Sequence, residues 1–339
     1  MKLIKTEDAV GHVLCHDLTQ IIKDRYKDAR FRKGHVVTRE DIPVLLSMGK
    51  EHLYVWEVTP GMVHEDAAAR RLLALCANQG MEPTAVKEGK IELRAARDGL
   101  FRVDRRRLLA VNSVGELMIA TRRGDTPVRQ GDRLAGMRVI PLVIGEARLR
   151  AAESAAGDAP LLELLPYRRR TAAIAATGNE VKSGRIQDTF TPVVREKLAE
   201  YGVETLAVVY SGDGVEEVAR AIQELRGTGA ELILCTGGMS VDPDDSTPGG
   251  IRASGARIVT YGAPVLPGAM FLLGYFQDGT PVMGLPGCVM YAGATIFDLV
   301  LPRVLAGVEL TAAEFAAMGE GGLCLGCGEC RWPVCPFGT

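Results

Sequence analysis

The stretch "CTGGMSVDPDD", residues 235–245, places small and hydroxyl residues directly beside a cluster of aspartates. Glycines allow the backbone to approach a ligand closely, and N–H groups at the start of a helix bind phosphate. Carboxylates tolerate a neighbouring phosphate when a divalent cation such as Mg²⁺ bridges the two. The loop therefore predicts a site for a phosphorylated molecule together with a divalent cation.

Three further loops end apolar runs in the same way, namely "ATGNEV" (176–181), "YSGDG" (210–214) and "GLPGCVMY" (284–291). If the runs are strands of one parallel sheet, their carboxyl ends meet at one edge and the four loops converge. Acidic residues in or near these loops are Glu180, Asp188, Asp213, Asp242, Asp244 and Asp245. Some of them could instead cap helices or turns, and capping could be the sole role of Asp213.

The elements that must position these loops follow from the pattern after Thr171. Short apolar runs alternate there with helical patterns, which predict helices over 191–201, 213–226, 247–254 and 290–305. Two of the helices start with Thr-Pro, at Thr191 and Thr247, where threonine can cap and proline suits the first helical position. The alternation predicts the α/β class, with a mainly parallel sheet covered on both faces.

The remaining sequence divides into segments of different composition. Residues 1–58 predict a small α+β element, and residues 59–166 a β-rich module with helices. The α/β region spans 167–307, and residues 308–339 form a cysteine-rich tail.

Four ordered motifs within the α/β region are similar to those of a known family. They are "TGNEV" followed by "GRIQDTF", "TGGMSVDPDD", Pro267-Gly268 and "GLPG" at 284–287. This stretch resembles the molybdopterin-binding domain shared by the MogA, MoaB and MoeA proteins, and "FRKGHVVTREDIPVLLSMGKEHLYV" resembles the segment that precedes it in MoeA. The resemblance implies a three-layer α/β/α domain that acts in molybdenum cofactor biosynthesis.

The resemblance also implies roles for individual residues. Contacts to the pterin and its phosphate would come from Thr177, Gly178, Asp188, Thr236, Gly237, Gly238, Ser240, Pro286 and Gly287. The catalytic acids would be Glu180, Asp213 and Asp245, with Asp242 and Asp245 holding Mg²⁺. Two departures from the family pattern are the sequence Asp242-Pro243-Asp244-Asp245 and Cys288, which stands where asparagine is usual.

The tail "CLGCGECRWPVCPFG" has the spacing C-x₂-C-x₂-C-x₄-C-P, formed by Cys324, Cys327, Cys330 and Cys335. Closely spaced thiolates followed by Cys-Pro are typical of bacterial ferredoxins and predict a [4Fe–4S] cluster on these cysteines. A Zn²⁺ site with four cysteine ligands and a set of free or redox-active thiols are the alternatives.

Three functions are compatible with these features. The first is an enzyme that binds molybdopterin or its adenylate and supports Mg²⁺-dependent molybdate insertion, like a molybdopterin molybdenumtransferase. The second is a molybdopterin carrier or sensor with a redox or metal tail, which the short sequence after Gly307 favours, since it has no room for the β-rich C-terminal domain of MoeA. The third is a nucleotide pyrophosphatase on the same fold.

Composition limits the partners and the compartment. A net charge of −2 argues against a general nucleic-acid binder, and the sequence has neither a secretory h-region nor an apolar stretch long enough to span a membrane. We therefore expect a cytoplasmic protein. The resemblance implies a homodimer that serves a molybdoenzyme or another cofactor-maturation protein.

Overall fold

The structure is a computed structural model, which describes residues 2–22, 26–55, 60–240 and 246–338. Asp242, Asp244 and Asp245 lie outside the described residues, so their predicted roles stay predictions.

The strands and helices of the described chain have the following bounds. The strands are β1 Lys2–Lys5, β2 Leu18–Ile22, β3 Tyr26–Phe31, β4 His52–Val55, β5 Met62–His64, β6 Met81–Pro83, β7 Ile91–Ala95, β8 Gly99–Val103, β9 Leu117–Thr121, β10 Thr126–Val128, β11 Arg133–Val139, β12 Val143–Gly145, β13 Leu162–Leu165, β14 Thr171–Thr177, β15 Glu204–Ser211, β16 Ile233–Thr236, β17 Arg257–Tyr261, β18 Leu272–Tyr275 and β19 Pro281–Leu285. The helices are α1 Asp41–Ser47, α2 Glu65–Cys76, α3 Arg105–Asn112, α4 Glu146–Ala156, α5 Asn179–Lys182, α6 Phe190–Ala199, α7 Val215–Arg226, α8 Thr247–Ala253, α9 Ile296–Leu305 and α10 Ala312–Ala317.

The chain forms two compact units. The first contains residues 1–96, 103–122 and 131–163, and the second contains 97–102, 123–130 and 164–339. Residues 1–58 lie in the first unit, residues 59–166 contribute to both units, and the tail lies in the second. The domain boundaries predicted at residues 58, 166 and 307 remain predictions.

The first unit contains an antiparallel sheet in the order β6-β7-β11-β9. Side chains alternate along these strands, so Ile91, Leu93 and Met137 are buried on the inner face, where α2 packs against β7 and β11. The outer face carries the intervening polar residues, among them Glu92 and Arg138.

The second unit is built on a six-stranded sheet in the order β15-β14-β16-β19-β18-β17. The first four strands are parallel, and β18 and β17 pair antiparallel at the far edge. Strands β14, β16 and β19 are almost entirely buried, as expected for strands that are covered on both faces.

Helices cover both faces of this sheet. Helices α6 and α9 pack on one face through Val194, Leu198 and Val300, and α7 and α8 pack on the other through Ile222 and Ile251. The prediction of a three-layer α/β/α domain with a mainly parallel sheet is confirmed.

The predicted helices are present, but three of them begin elsewhere. Helix α6 begins at Phe190 instead of Thr191, and α7 begins at Val215 instead of Asp213. Helix α9 begins at Ile296 instead of 290, because Thr295 and Asp298 form a capping box there and a short 3₁₀ turn, Gly287–Met290, takes up the preceding residues.

The tail returns onto the second unit. Leu323 pairs with Leu266 in a parallel bridge, and the N–H of Gly338 donates to the carbonyl of Gly321 over 2.9 Å. The Phe337 side chain is only 5% exposed and joins the core beneath α9. The tail is therefore an integral part of the packing of this unit.

Among the described residues, no helix combines the length and the apolar character that crossing a membrane requires.

Candidate functional site

The candidate site is the crevice at the carboxyl edge of the parallel strands. Neighbouring strands β14 and β16 are followed by α6 and α8, which pack on opposite faces of the sheet. Their loops therefore diverge and leave a crevice between them, the place where open α/β sheets bind ligands. The predicted loops at 176–181, 210–214 and 235–245 all start at this edge.

Thr177 ties the two sides of the crevice together. Its buried hydroxyl donates to the carbonyl of Thr236 over 2.9 Å and lies 2.9 Å from the hydroxyl of Thr247. Thr236 and Thr247 are also buried, at 2% and 1% exposure. Thr177 and Thr236, predicted to contact the pterin, are thus engaged in packing within the protein, and their contact with a ligand stays a prediction.

Gly237 and Gly238 are required by this packing. Both have positive φ, +84° and +56°. A Cβ at Gly237 would lie 2.4 Å from the Thr177 carbonyl oxygen, and one at Gly238 would lie 2.7 Å from Thr247 Oγ1. The sequence predicts these glycines for close approach of a ligand, whereas the structure shows that the loop itself needs them.

Asp213 connects three loops. The N–H of Gly178 donates to the Ser211 carbonyl, and the N–H of Asn179 donates to Asp213 Oδ2, each over 3.0 Å. The Ser246 hydroxyl donates to the Asp213 carbonyl. Asp213 does not cap α7, because the N-cap of that helix is Gly214 and no side chain caps it. One oxygen of this predicted catalytic acid is therefore engaged in holding the loop after β14.

The other predicted acid of this region, Glu180, is exposed on the short helix α5. Beside it, Lys182 pairs with Glu217 over 2.6 Å, and this hydrogen bond holds the pKa of the Glu217 carboxyl below its usual value. Within the ranges the structure describes, no three Cys, His, Asp or Glu side chains form a group that could hold a metal ion. The predicted Mg²⁺ ligands Asp242 and Asp245 lie outside those ranges.

The start of α6 carries two buried polar atoms that no other described residue hydrogen-bonds. Asp188 Oδ1 accepts hydrogen bonds from the N–H groups of Phe190 and Thr191, each over 2.9 Å, so Asp188 fills the capping role predicted for Thr191. Asp188 Oδ2 and Thr191 Oγ1 are buried and have no hydrogen-bond partner among the described residues. The sequence analysis did not include Thr191 among the site residues. Its position three residues after Asp188 is the sequence feature that could have identified it.

The loop after β19 lies against this helix start. It contains the predicted contacts Pro286 and Gly287, and its Met290 sulfur lies 3.8 Å from the Thr189 hydroxyl. Lys197 of α6 donates to Asp298 Oδ1 over 2.6 Å and to the Gly293 carbonyl over 3.3 Å. The Lys197–Asp298 ion pair is nearly buried and fixes α6 to α9. The hydrogen bond to Gly293 fixes α6 to the loop.

Two predicted positions lie at the margins of the crevice. Ser240 is exposed and ends the described range 60–240. Cys288 is half-buried, and burial raises the pKa of its thiol.

The four tail cysteines have separate environments. Cys330 lies over Gly293, where a Cβ would come within 3.0 Å of its sulfur, while the N–H of Cys324 donates to the Leu266 carbonyl over 2.8 Å. Cys335 packs against the core and Cys327 is exposed. All four lie in the described part of the chain, in which no metal-binding group of three ligands occurs. The predicted [4Fe–4S] or Zn²⁺ site is therefore not confirmed.

Comparison with protein families identifies two regions. Residues 173–306 match a family described as "Probable molybdopterin binding domain", and residues 3–57 match a domain of unknown function, DUF8806. The first match covers the six-stranded sheet and its crevice.

Individual relatives share parts of the chain. A molybdopterin molybdenumtransferase of Synechococcus elongatus is 27% identical over 197 residues, 55% of this chain and 46% of that protein. A CinA-like protein of Mycolicibacterium vanbaalenii is 37% identical over 76 residues, 22% of this chain and 18% of that protein. The chain thus aligns with less than half the length of either relative.

Two solved structures of molybdopterin biosynthesis proteins are similar to part of the chain. The crystal structure of the molybdopterin biosynthesis enzyme MoaB from Thermus thermophilus is 23% identical, covers 41% of this chain and 96% of that chain, and has a TM-score of 0.36. The molybdopterin biosynthesis Mog protein from Mycobacterium ulcerans is 23% identical, covers 41% and 99%, and has a TM-score of 0.34. Through residues 173–306 the chain is therefore similar to proteins of molybdenum cofactor biosynthesis.

Proposed function

We propose that the crevice binds molybdopterin or its adenylate and supports Mg²⁺-dependent molybdate insertion, as a molybdopterin molybdenumtransferase does. The observation that carries the proposal is a pair of buried atoms, Asp188 Oδ2 and Thr191 Oγ1, which have no hydrogen-bond partner within the described part of the chain. An unsatisfied buried polar group is costly, and a ligand that hydrogen-bonds to it removes the cost. The pterin ring has the N–H donors and acceptors that such a carboxylate and hydroxyl require.

The other side of the crevice suits the phosphate. Gly178 has a φ of +133°, and a Cβ there would meet only Glu180 and Val181 side-chain atoms at 3.9 Å, so this backbone is open to close approach. Because Thr177, Asp213 and Ser246 tie the loops together, their N–H groups are held in place before a ligand arrives. Preorganised donors stabilise charge without a reorganisation cost.

The donor chemistry fits Mg²⁺. This ion usually takes one or two carboxylates from the protein and its other ligands from water and substrate phosphates, and Glu180 and Asp213 flank the crevice with two carboxylates. Together with Asp245 they would hold the ion, which would supply Lewis-acid polarisation of a phosphoanhydride.

The test measures AMP release and bound molybdenum after incubation with adenylated molybdopterin, Mg²⁺ and molybdate. Asp188→Asn keeps the cap of α6 but removes the charge, and we expect a loss of pterin affinity of about tenfold or more. Asp278→Asn is the matched control, because Asp278 also accepts a backbone N–H, from Thr280, in a turn elsewhere on this unit.

The outcomes separate the three candidate functions. AMP release that depends on Asp188 supports the proposal. Tight pterin binding without AMP release would identify a carrier or sensor, and release of AMP from ordinary dinucleotides would identify a pyrophosphatase. Either result would overturn molybdate insertion.

The proposal includes a homodimer that delivers its product to a molybdoenzyme or another cofactor-maturation protein. Light scattering coupled to size exclusion tests the dimer, since a mass of 36.4 kDa would identify a monomer.

A further inference from the structure

A glycine on the outer face of the β6-β7-β11-β9 sheet has no explanation in the fold. Gly136 lies in the centre of β11, and its register partners are Glu92 on β7 and Ala120 on β9. A Cβ at this position would meet only Lys90 Cε at 3.8 Å and the Ile91 carbonyl at 4.0 Å, both ordinary contacts. Glycine destabilises the interior of a strand, and it often marks a place where a ligand approaches the backbone.

The missing side chain creates a depression of about 390 Å³ in the sheet. Its floor is formed by Gly136, Ala120 and Met118, which are small or apolar, and the next row across the strands pairs Arg138 with Met118. Pockets for small molecules begin at about 300 Å³ and combine an apolar floor with a few polar groups.

Cations surround this floor. Lys90, Arg94 and Arg133 gather around the single carboxylate of Glu92, at 2.5, 4.0 and 3.6 Å. Arg138 lies 3.6 Å from Glu65 and Arg122 lies 2.9 Å from Asp132. These ion pairs connect five cations with only three carboxylates.

The side chains that carry the excess charge reach solvent. Arg133 is 73% exposed and Lys90 is 50% exposed, so both can turn towards a ligand. A positive excess is notable in a chain with a net charge of −2. A local field of this kind attracts anions to the depression.

We propose that this depression binds a nucleotide, with the ring over Gly136 and the phosphates among Lys90, Arg133 and Arg138. The apolar floor suits the base, and the arginine side chains offer paired N–H donors to phosphate oxygens. The site lies wholly within the first unit, so it is distinct from the molybdopterin crevice.

The test is calorimetric titration of the whole protein with ADP, inorganic pyrophosphate and adenosine. We expect ADP to bind most tightly, because only ADP engages both the floor and the cations. Pyrophosphate binding as tight as that of ADP would overturn the role of the floor, and absence of ADP binding at about 1 mM would overturn the proposal.

Variants then locate the ADP. Gly136→Leu fills the depression on a strand that accepts a side chain, and we expect ADP affinity to fall about tenfold or more with a smaller effect on pyrophosphate. Arg133→Ala should also weaken ADP about tenfold. Its matched control is Arg150→Ala, since Arg150 is 74% exposed on α4 and does not line the depression.

One further variant distinguishes the two sites. Asp188→Asn changes the crevice, so ADP binding to the depression should be unaffected by it. If Asp188→Asn weakens ADP while Gly136→Leu and Arg133→Ala do not, the nucleotide binds in the crevice and the proposal fails.

Discussion

The carboxyl edge of the parallel sheet and the cysteine tail belong to the same unit but hold their residues in different ways. At the sheet edge, hydrogen bonds from Thr177, Asn179 and Ser246 join loops that follow three strands. In the tail, Cys330 lies over Gly293 while Cys324 is fixed by its backbone to Leu266. The difference teaches that parallel strands force their loops to converge, whereas close spacing along a chain does not by itself bring side chains together.

The strongest test of the sheet edge is Gly237→Ala. Its Cβ would contact the Thr177 carbonyl at 2.4 Å, and φ is unfavourable for alanine, so we expect a loss of about 3 kcal/mol or more in the free energy of unfolding. Gly229→Ala is the control, because Gly229 has a similar φ of +78° with open space around it and should lose only about 1–2 kcal/mol. Equal urea midpoints for the two variants would show that the contact with Thr177 is unimportant.

The strongest test of the tail is Phe337→Ala. Although this residue is near the end of the sequence, its side chain is 5% exposed, and we expect its removal to cost about 3 kcal/mol. Val334→Ala, at a position 77% exposed, should change stability by less than about 0.5 kcal/mol. If Phe337→Ala is as mild as the control in urea unfolding, the tail does not complete the core.

A smaller effect separates structural from ligand-facing hydroxyls in the crevice. Thr177→Val leaves the Thr236 carbonyl and the Thr247 hydroxyl without their partner and should cost about 2 kcal/mol. Thr191→Val removes a buried hydroxyl that has no partner among the described residues, so the ligand-free protein should lose nothing and should gain up to about 1 kcal/mol. A clear loss of stability with Thr191→Val would show that this hydroxyl serves the fold.

The smallest expected effect concerns a chelator. If the tail cysteines are free thiols, EDTA should leave the rate at which Ellman's reagent labels them unchanged. Burial raises the pKa of Cys235 to about 12 and also raises that of Cys288, so both have less thiolate at neutral pH. We expect exposed Cys327 to react first at pH 7.5 and Cys288 to accelerate as pH rises. Faster labelling with EDTA would indicate a bound metal.

The sequence predicts the sheet and its crevice well, because apolar runs such as Thr171–Thr177 are buried on both faces of the sheet and have no polar face to turn towards solvent. Helix starts are less predictable. A Thr-Pro pair at 191 has the local pattern of a cap, but Asp188, three residues earlier, takes the backbone N–H groups first. The cysteine spacing describes only distance along the chain. The residues that position the tail are distant in sequence, since Gly293 is 37 residues from Cys330 and Leu266 is 58 residues from Cys324, and no local pattern reveals these pairs.

The hydrogen bonds of Thr177 also determine when the crevice can form during folding. Its two partners are 59 and 70 residues away along the chain, so the crevice cannot exist before β14 and β16 have paired. Contacts between such distant residues form late, since the loop between them must first be closed. A ligand of the crevice therefore cannot speed the early steps of folding, and it stabilises only molecules whose sheet is already complete.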